Sequence, residues 1–231
     1  MALPALEGLQ GDLVGMGGLL GCVIERSVEA LERLDESAAR EVIQDIAEIS
    51  QWRSLVEERA VELIATRKPT AREAQRLVAV LDIAGELARA GDHAARIAEI
   101  ALCHQNTRQP LLQPPGVHAL MAETTRVMLR RGLDAFIEED AGAAGQIAAE
   151  GELVHALYRQ AYMELLGYIL EDPRTLDRAS WLLWAAQNLE RISHCVTRVC
   201  ERVAHSATGA TEEAKLPCVE SASPEVREAV G

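Results

Sequence analysis

Residues 80–101 read Val-Leu-Asp-Ile-Ala-Gly-Glu-Leu-Ala-Arg-Ala-Gly-Asp-His-Ala-Ala-Arg-Ile-Ala-Glu-Ile-Ala. Within this run Val80, Ile83, Leu87, Ala90, Ala94, Ile97 and Ala101 follow one another at alternating steps of three and four. That spacing keeps one apolar stripe on one side of a long helix, and it suits helices packed at shallow angles in a bundle. The second half of the chain repeats the run, with Leu182, Ala185, Leu189, Ile192, Val196, Val199 and Val203 at the same steps. The agreement extends to polar positions. At a constant offset of 102 residues, Leu87 matches Leu189, Arg89 matches Arg191, Arg96 matches Arg198 and Glu99 matches Glu201. Pro69 matches Pro173 at 104, and Asp35 matches Asp140 at 105, each aspartate followed by an Ala-Ala pair (Ala38-Ala39, Ala143-Ala144). The small drift in offset places short insertions or deletions in loops, and the whole reads as an internal duplication.

Outward from these two runs, further stripes complete each unit. Leu13, Met16, Leu20, Ile24 and Leu31 form one, through a glycine-rich segment that allows close helix contact. Ile46, Ile49, Val56, Ala60 and Leu63 form another. Lys68-Pro69-Thr70 and Glu171-Asp172-Pro173 break the helical pattern. The predicted fold is all-α: two tandem, pseudo-symmetric three-helix bundles with essentially no strand. The first unit spans 1–104, a proline-rich linker with Pro110, Pro114 and Pro115 spans 105–116, and the second unit spans 117–205. Residues 206–231 turn to Ser, Thr, Gly, Pro and Glu, a composition that predicts a disordered tail.

Composition narrows the function. Of 231 residues 48% are apolar, 26% charged and only 3% aromatic, so helix-favouring Ala, Leu, Glu and Arg dominate over strand formers. The net charge of −13 argues against nucleic acid and anionic lipid as partners, since both are bound through Lys and Arg. The uncharged run Leu13–Ile24 holds twelve residues, where a membrane span needs roughly 20. Leu19-Leu20-Gly21-Cys22 looks superficially like a lipoprotein cleavage box, but the first basic residue is Arg26, so no basic n-region precedes it. Cysteines 22, 103, 195, 200 and 218 are odd in number and form no CxxC pair. Neither a disulfide framework nor a structural zinc site is expected, and a cytoplasmic location with free thiols is.

Chemistry concentrates on the third helix of each unit. Off the apolar stripe, positions 88 and 92 lie one turn apart, as do 190 and 194. The second unit carries Glu190 and His194 there, a pair able to bind one metal ion; the first carries Ala88 and Asp92, a single donor. Glu152 and His155, an ExxH on helix two of the second unit, add two candidate ligands. A di-iron bundle needs a second ExxH and further glutamates, which are lacking. Plain structural readings stand beside these: a solvated face for Glu152 and His155, an ordinary contact for Glu190 and His194, an exposed carboxylate for Asp92 with an exposed His93 beside it. The duplicated arginines are expected to pair with acids on neighbouring helices. There is no Gly-rich loop followed by Lys-Ser/Thr and no GxSxG, and His194 and Cys195, adjacent on a helix, diverge too far to form a catalytic dyad.

These segments resemble the PhoU family of phosphate-uptake regulators, whose third-helix signature has the form Leu-Glu-Arg-Ile-Gly-Asp-His-Ala. This chain has Leu87-Ala88-Arg89-Ala90-Gly91-Asp92-His93-Ala94 and Leu189-Glu190-Arg191-Ile192-Ser193-His194. Met16-Gly17-Gly18, Leu63-Ile64-Ala65 ahead of Pro69, and Ala156-Leu157-Tyr158-Arg159-Gln160 also match, so the resemblance covers roughly 9–205. It implies the duplicated three-helix architecture and a non-enzymatic role in phosphate uptake and phosphate-starvation signalling. The partners it implies are the ATPase subunit of a phosphate ABC transporter and a phosphate-responsive sensor histidine kinase; a homodimer is left open. It also implies surface clusters of iron or zinc held by acid-x-x-x-Asp motifs. Here Ala88 replaces the first acid of one copy and His194 the last acid of the other. Zinc or iron is therefore expected on the second unit if anywhere, with no metal as the other outcome. The competing reading is a carboxylate/histidine metal protein with a redox or storage role, seated on Glu152, His155, Glu190 and His194.

Overall fold

The computed structural model describes residues 4–103 and 116–208. The first unit comprises α1 (Pro4–Arg33), α2 (Glu36–Arg67) and α3 (Ala71–Cys103). The second comprises α4 (Val117–Glu138), α5 (Ala141–Ala149), α6 (Gly151–Glu171), a 3-10 turn at Pro173–Thr175, and α7 (Leu176–Thr208). No strand occurs among the described residues. The expected linker lies outside them except for Gly116, which sits at the N-cap of α4. The expected tail also lies outside them, except that α7 runs on to Thr208. There the hydroxyls of Ser206 and Thr208 bond back to the carbonyls of Val203 and Ala204.

The duplication is visible atom by atom where helix two begins. Leu34 and Glu139 both adopt the left-handed conformation, with φ of 51° and 55°. The next residues, Asp35 and Asp140, then donate their backbone N–H to Ala30 and Ala135, each at 3.0 Å. Their carboxylates cap the new helix by accepting from the N–H of Ala38 and of Ala143, an arrangement worth about 1 kcal/mol. Backbone and Ser37 hydrogen bonds hold the Asp35 carboxyl below its ordinary pKa. The third helices begin differently. Thr70 and Glu73 form a reciprocal capping box ahead of α3, whereas Asp172 caps the 3-10 turn that Pro173 opens before α7.

The two units depart from each other in helix two. In the first it is the continuous 32-residue α2, while in the second it breaks between α5 and α6 at Glu150–Gly151. The reason is contact with α7: a Cβ on Gly151 would stand 2.7 Å from Thr197 Oγ1. A larger residue at 151 would force the Thr197 side chain to turn away, so glycine lets the broken helix lie close against α7.

Every residue of the two apolar stripes that open the sequence analysis is buried. The bundles do not hang from a linker as separate bodies. α3 packs along α7, α1 packs along α4, and one hydrophobic cluster runs through both units. Close approach of α1 and α4 relies on Gly17, where an added Cβ would meet Leu133 Cδ1 at 2.1 Å. No helix among the described residues is long and apolar enough to cross a membrane.

Candidate functional site

α3 and α7 cross antiparallel, because their contacts pair rising numbers with falling ones: Asp82 with Arg202, Glu86 with Arg198, His93 with Asn188. Applying the 102-residue offset places Gly91 and Ser193, both buried, at the pseudo-two-fold point of the crossing. On one side of it Glu86, only 6% exposed, is bonded by Arg89 of its own helix and lies 3.8 Å from Arg198 Nη1. The Cys195 thiol lies near enough to feel the Glu86 charge, and the second carboxylate oxygen, Oε2, is buried without a hydrogen-bond partner. Its equivalent on the other side is Asn188, whose Oδ1 lies 3.0 Å from His93 Nδ1. The contacts Glu86–Cys195 and Asn188–His93 are thus one contact made twice.

Beyond them the sides diverge. Asp82 and Arg202 close one end with an ion pair at 3.2 Å. Their equivalents, Trp184 and Ile100, line an open groove of about 440 Å³ that also includes Arg96, Gln187 and Asn188. Trp184 is 56% exposed.

Titration follows burial. Partial burial pushes the His93 imidazole below its ordinary value; Arg96 and Arg191 act the same way, against the Asn188 bond and Asp92. His93 is therefore half-buried rather than exposed as expected, because α7 brings Asn188 across it. Burial, then the Glu86 charge, pushes the Cys195 thiol up to about 11, and burial pushes that of Cys200 up to about 12. Both stay protonated near neutral pH, where a thiol is a poor nucleophile.

The expected metal residues come together only in part. Glu190 does not pair with His194 one turn away. It is met instead by His155 of α6, whose Nδ1 stands 2.6 Å from Glu190 Oε1. Tyr158 lies close enough that burial and the Glu190 charge both raise its pKa. Glu152, His194 and Asp92 are exposed, and Ala88 is buried and carries no donor. Among the described residues no three His, Cys, Asp or Glu side chains converge on one point. One carboxylate and one imidazole hold a divalent ion poorly, so this donor set does not fit a resident cluster. Of the duplicated arginines, Arg198 faces an acid of a neighbouring helix, Glu86 at 3.8 Å, whereas Arg89 pairs with Glu86 within its own helix. Glu86 itself went unnoticed in the sequence, although an acid directly beside Leu87 of the stripe, matched by Asn188, was the available signal.

A family model, the PhoU domain, matches this chain twice, over residues 13–101 and 119–203. The chain belongs to the PhoU family. Among its relatives, a protein of Rhizobium meliloti (strain 1021) called phosphate-specific transport system accessory protein PhoU homolog is 31% identical over 202 residues, covering 87% of this chain and 85% of the relative. A homologue of the same description from Aquifex aeolicus (strain VF5) is 31% identical over 186 residues, covering 80% and 83%. The crystal structure of PhoU from Pseudomonas aeruginosa superimposes with a TM-score of 0.82 at 28% identity, over 90% of this chain and 99% of that one. The two matched segments are the two halves inferred from the 102-residue offset, so the PhoU repeat and the internal duplication coincide.

Proposed function

We propose that this PhoU-family chain regulates phosphate uptake and phosphate-starvation signalling by binding proteins. Its partners on this reading are the ATPase subunit of a phosphate ABC transporter and a phosphate-responsive sensor histidine kinase, in the cytoplasm. The observation that carries the reading is the similarity, along 87% of the chain, to a relative named as an accessory protein of phosphate-specific transport. The geometry is consistent with a binding role: two units packed on a common core present long helical faces, and the buried thiols are poor nucleophiles. Such a protein shifts a partner between two states by no more than the difference in its affinity for them. The metal-store or redox reading has less support, because no set of three donors converges among the described residues.

Deleting the gene should derepress phosphate-starvation genes in phosphate-rich medium, and the purified chain should bind the purified ATPase subunit in titration calorimetry. An unchanged transcriptional response together with no binding to either partner would overturn the proposal.

A further inference from the structure

The crossing of α3 and α7 carries one pair of arginines twice, but only one of the two pairs has an acid. In the first set Glu86 is met by Arg89, with Arg198 at 3.8 Å, and the charges of both arginines reach the Cys195 thiol. The 102-residue offset turns Glu86, Arg89, Cys195 and Arg198 into Asn188, Arg191, His93 and Arg96. The second set is assembled in the same way, since His93 is bonded to Asn188 and feels the charges of both Arg96 and Arg191. The acid alone has gone. Asn188 is neutral and one methylene shorter than Glu86, and its amide nitrogen donates to the Trp184 carbonyl at 2.8 Å. Among the described residues neither Arg96 nor Arg191 forms an ion pair, although Asp92 and Glu99 lie one turn from Arg96 on its own helix. Beside the set opens the groove of about 440 Å³ that Arg96, Gln187, Asn188 and the exposed Trp184 line.

We infer that Arg96 and Arg191 form a docking site for the side-chain carboxylate of an acidic segment on a partner protein, which supplies the charge that Glu86 supplies in the first set. The inference rests on the reading that this chain works by binding proteins, and it adds a place and a chemistry. A carboxylate is the ligand because the matched arginines already gather round one, and the planar guanidinium fork suits its two oxygens. A peptide is the source because Trp184 sets a large apolar face next to the cations, the pairing of aromatic and arginine that anchors protein interfaces. A residue beside the acid in the segment would cover that indole, which a small ion would leave in water. The net charge of −13 repels an acidic segment from the rest of the surface, so the two arginines also set its position.

The probe is the blocked pentapeptide Leu-Glu-Gly-Glu-Leu, titrated into the full chain at about 20 mM salt while the imidazole NMR signals of His93 are followed. His93→Gln assigns those signals. They should shift saturably, with a dissociation constant of a few hundred micromolar that weakens as salt is added. The same peptide with glutamine in place of glutamate should bind about tenfold more weakly or worse. Arg96→Gln with Arg191→Gln should cost about tenfold, and Arg198→Gln, which removes an arginine already facing Glu86, less than about twofold. Asn188→Glu gives the second set the acid of the first. The chain's own carboxylate should then occupy the arginines and weaken the peptide about tenfold with the circular dichroism spectrum unchanged, whereas Asn188→Gln should not. The inference is overturned if the glutamine peptide binds as well as the glutamate one, or if Asn188→Glu binds as well as the native chain. It is overturned too if inorganic phosphate saturates the His93 signals at lower concentration than the peptide, which makes this a site for a small oxyanion. Tighter peptide binding once Glu212, Glu213, Glu220, Glu225 and Glu228 are replaced by glutamine would assign the site to the chain's own tail instead. None of these results alters the gene-deletion response or the binding of the ATPase subunit, so the phosphate reading stands or falls apart from this one.

Discussion

The two sides of the α3–α7 crossing began as one sequence and now hold the helices together by different means. On one side Asp82 pairs with Arg202, and Glu86 gathers Arg89, Arg198 and the Cys195 thiol. On the other, neutral Asn188 meets a half-buried imidazole, and exposed Trp184 stands where Asp82 stands on the first. Both units keep the apolar stripe and the arginine pairs Arg89/Arg191 and Arg96/Arg198; what differs is the polar residues those helices set across the margin. Methylene groups at the crossing have no water to return to, so both copies must keep them. The margin reaches solvent, where one polar arrangement replaces another at little cost.

The largest test of that contrast is in the stripe. Leu87 and Leu189 are duplicates, each no more than 1% exposed. Leu87→Ala and Leu189→Ala should each destabilise the protein by about 3 kcal/mol, through lost transfer energy and the cavity left behind. Denaturant titration of both variants checks this. Equal losses uphold the idea that the stripe is shared; a loss at one position below about 1 kcal/mol would show that the core has a dominant half.

Next in size is the pair at the start of the margin. Glu86→Ala removes the carboxylate that Arg89 bonds and Arg198 faces at 3.8 Å, yet both arginines are more than half exposed and rehydrate readily. A loss of about 1–2 kcal/mol is expected, against about 1 kcal/mol or less for Asn188→Ala. Added salt should narrow the gap by screening the ionic side alone. If Asn188→Ala proves the more damaging change, the neutral side is the principal fastening and the contrast is reversed.

These differences also mark what the sequence made legible. The stripes and the repeat, with its matched aspartates Asp35 and Asp140, were readable because each is a periodic or local device, and the spacing of Leu87 or the Ala-Ala pair after Asp140 carries the signal by itself; that these aspartates cap their helices emerged from the structure. The break at Gly151 was not, because the close neighbour of that glycine is Thr197, 46 positions away in the chain, which only the fold brings near. The site failed for the same reason. Glu190 and His194 share a helix face and looked like partners, but Glu190 leans toward α6, where His155 is closer. Glu86 was hidden by its type, since an acid on a helix is read as solvated until a second helix covers it.

The finest test uses His93 and Cys195, duplicate positions on opposite sides of the crossing, as titrating reporters. Burial holds the imidazole below its ordinary value of 6.5, so as pH falls the unfolded chain takes up that proton first. Stability from this group is therefore present above 6.5 and declines as pH drops toward the lowered folded value. Burial acts in the other direction on the thiol, raising it from 9.0 to about 11. Here the unfolded chain loses its proton first, so stability is present below 9.0 and declines as pH rises toward 11, by about 1 kcal/mol near pH 10. Thermal melts across this range should show His93→Gln reducing the slope on the acid side alone and Cys195→Ala reducing it on the alkaline side alone, where the Cys200 thiol keeps a slope of its own. Glutamine keeps a donor for Asn188, so the first variant separates titration from the lost hydrogen bond. Should His93→Gln leave the acid-side slope unaltered, its imidazole is hydrated in the native state, and the neutral side of the crossing is more open than the contact with Asn188 implies.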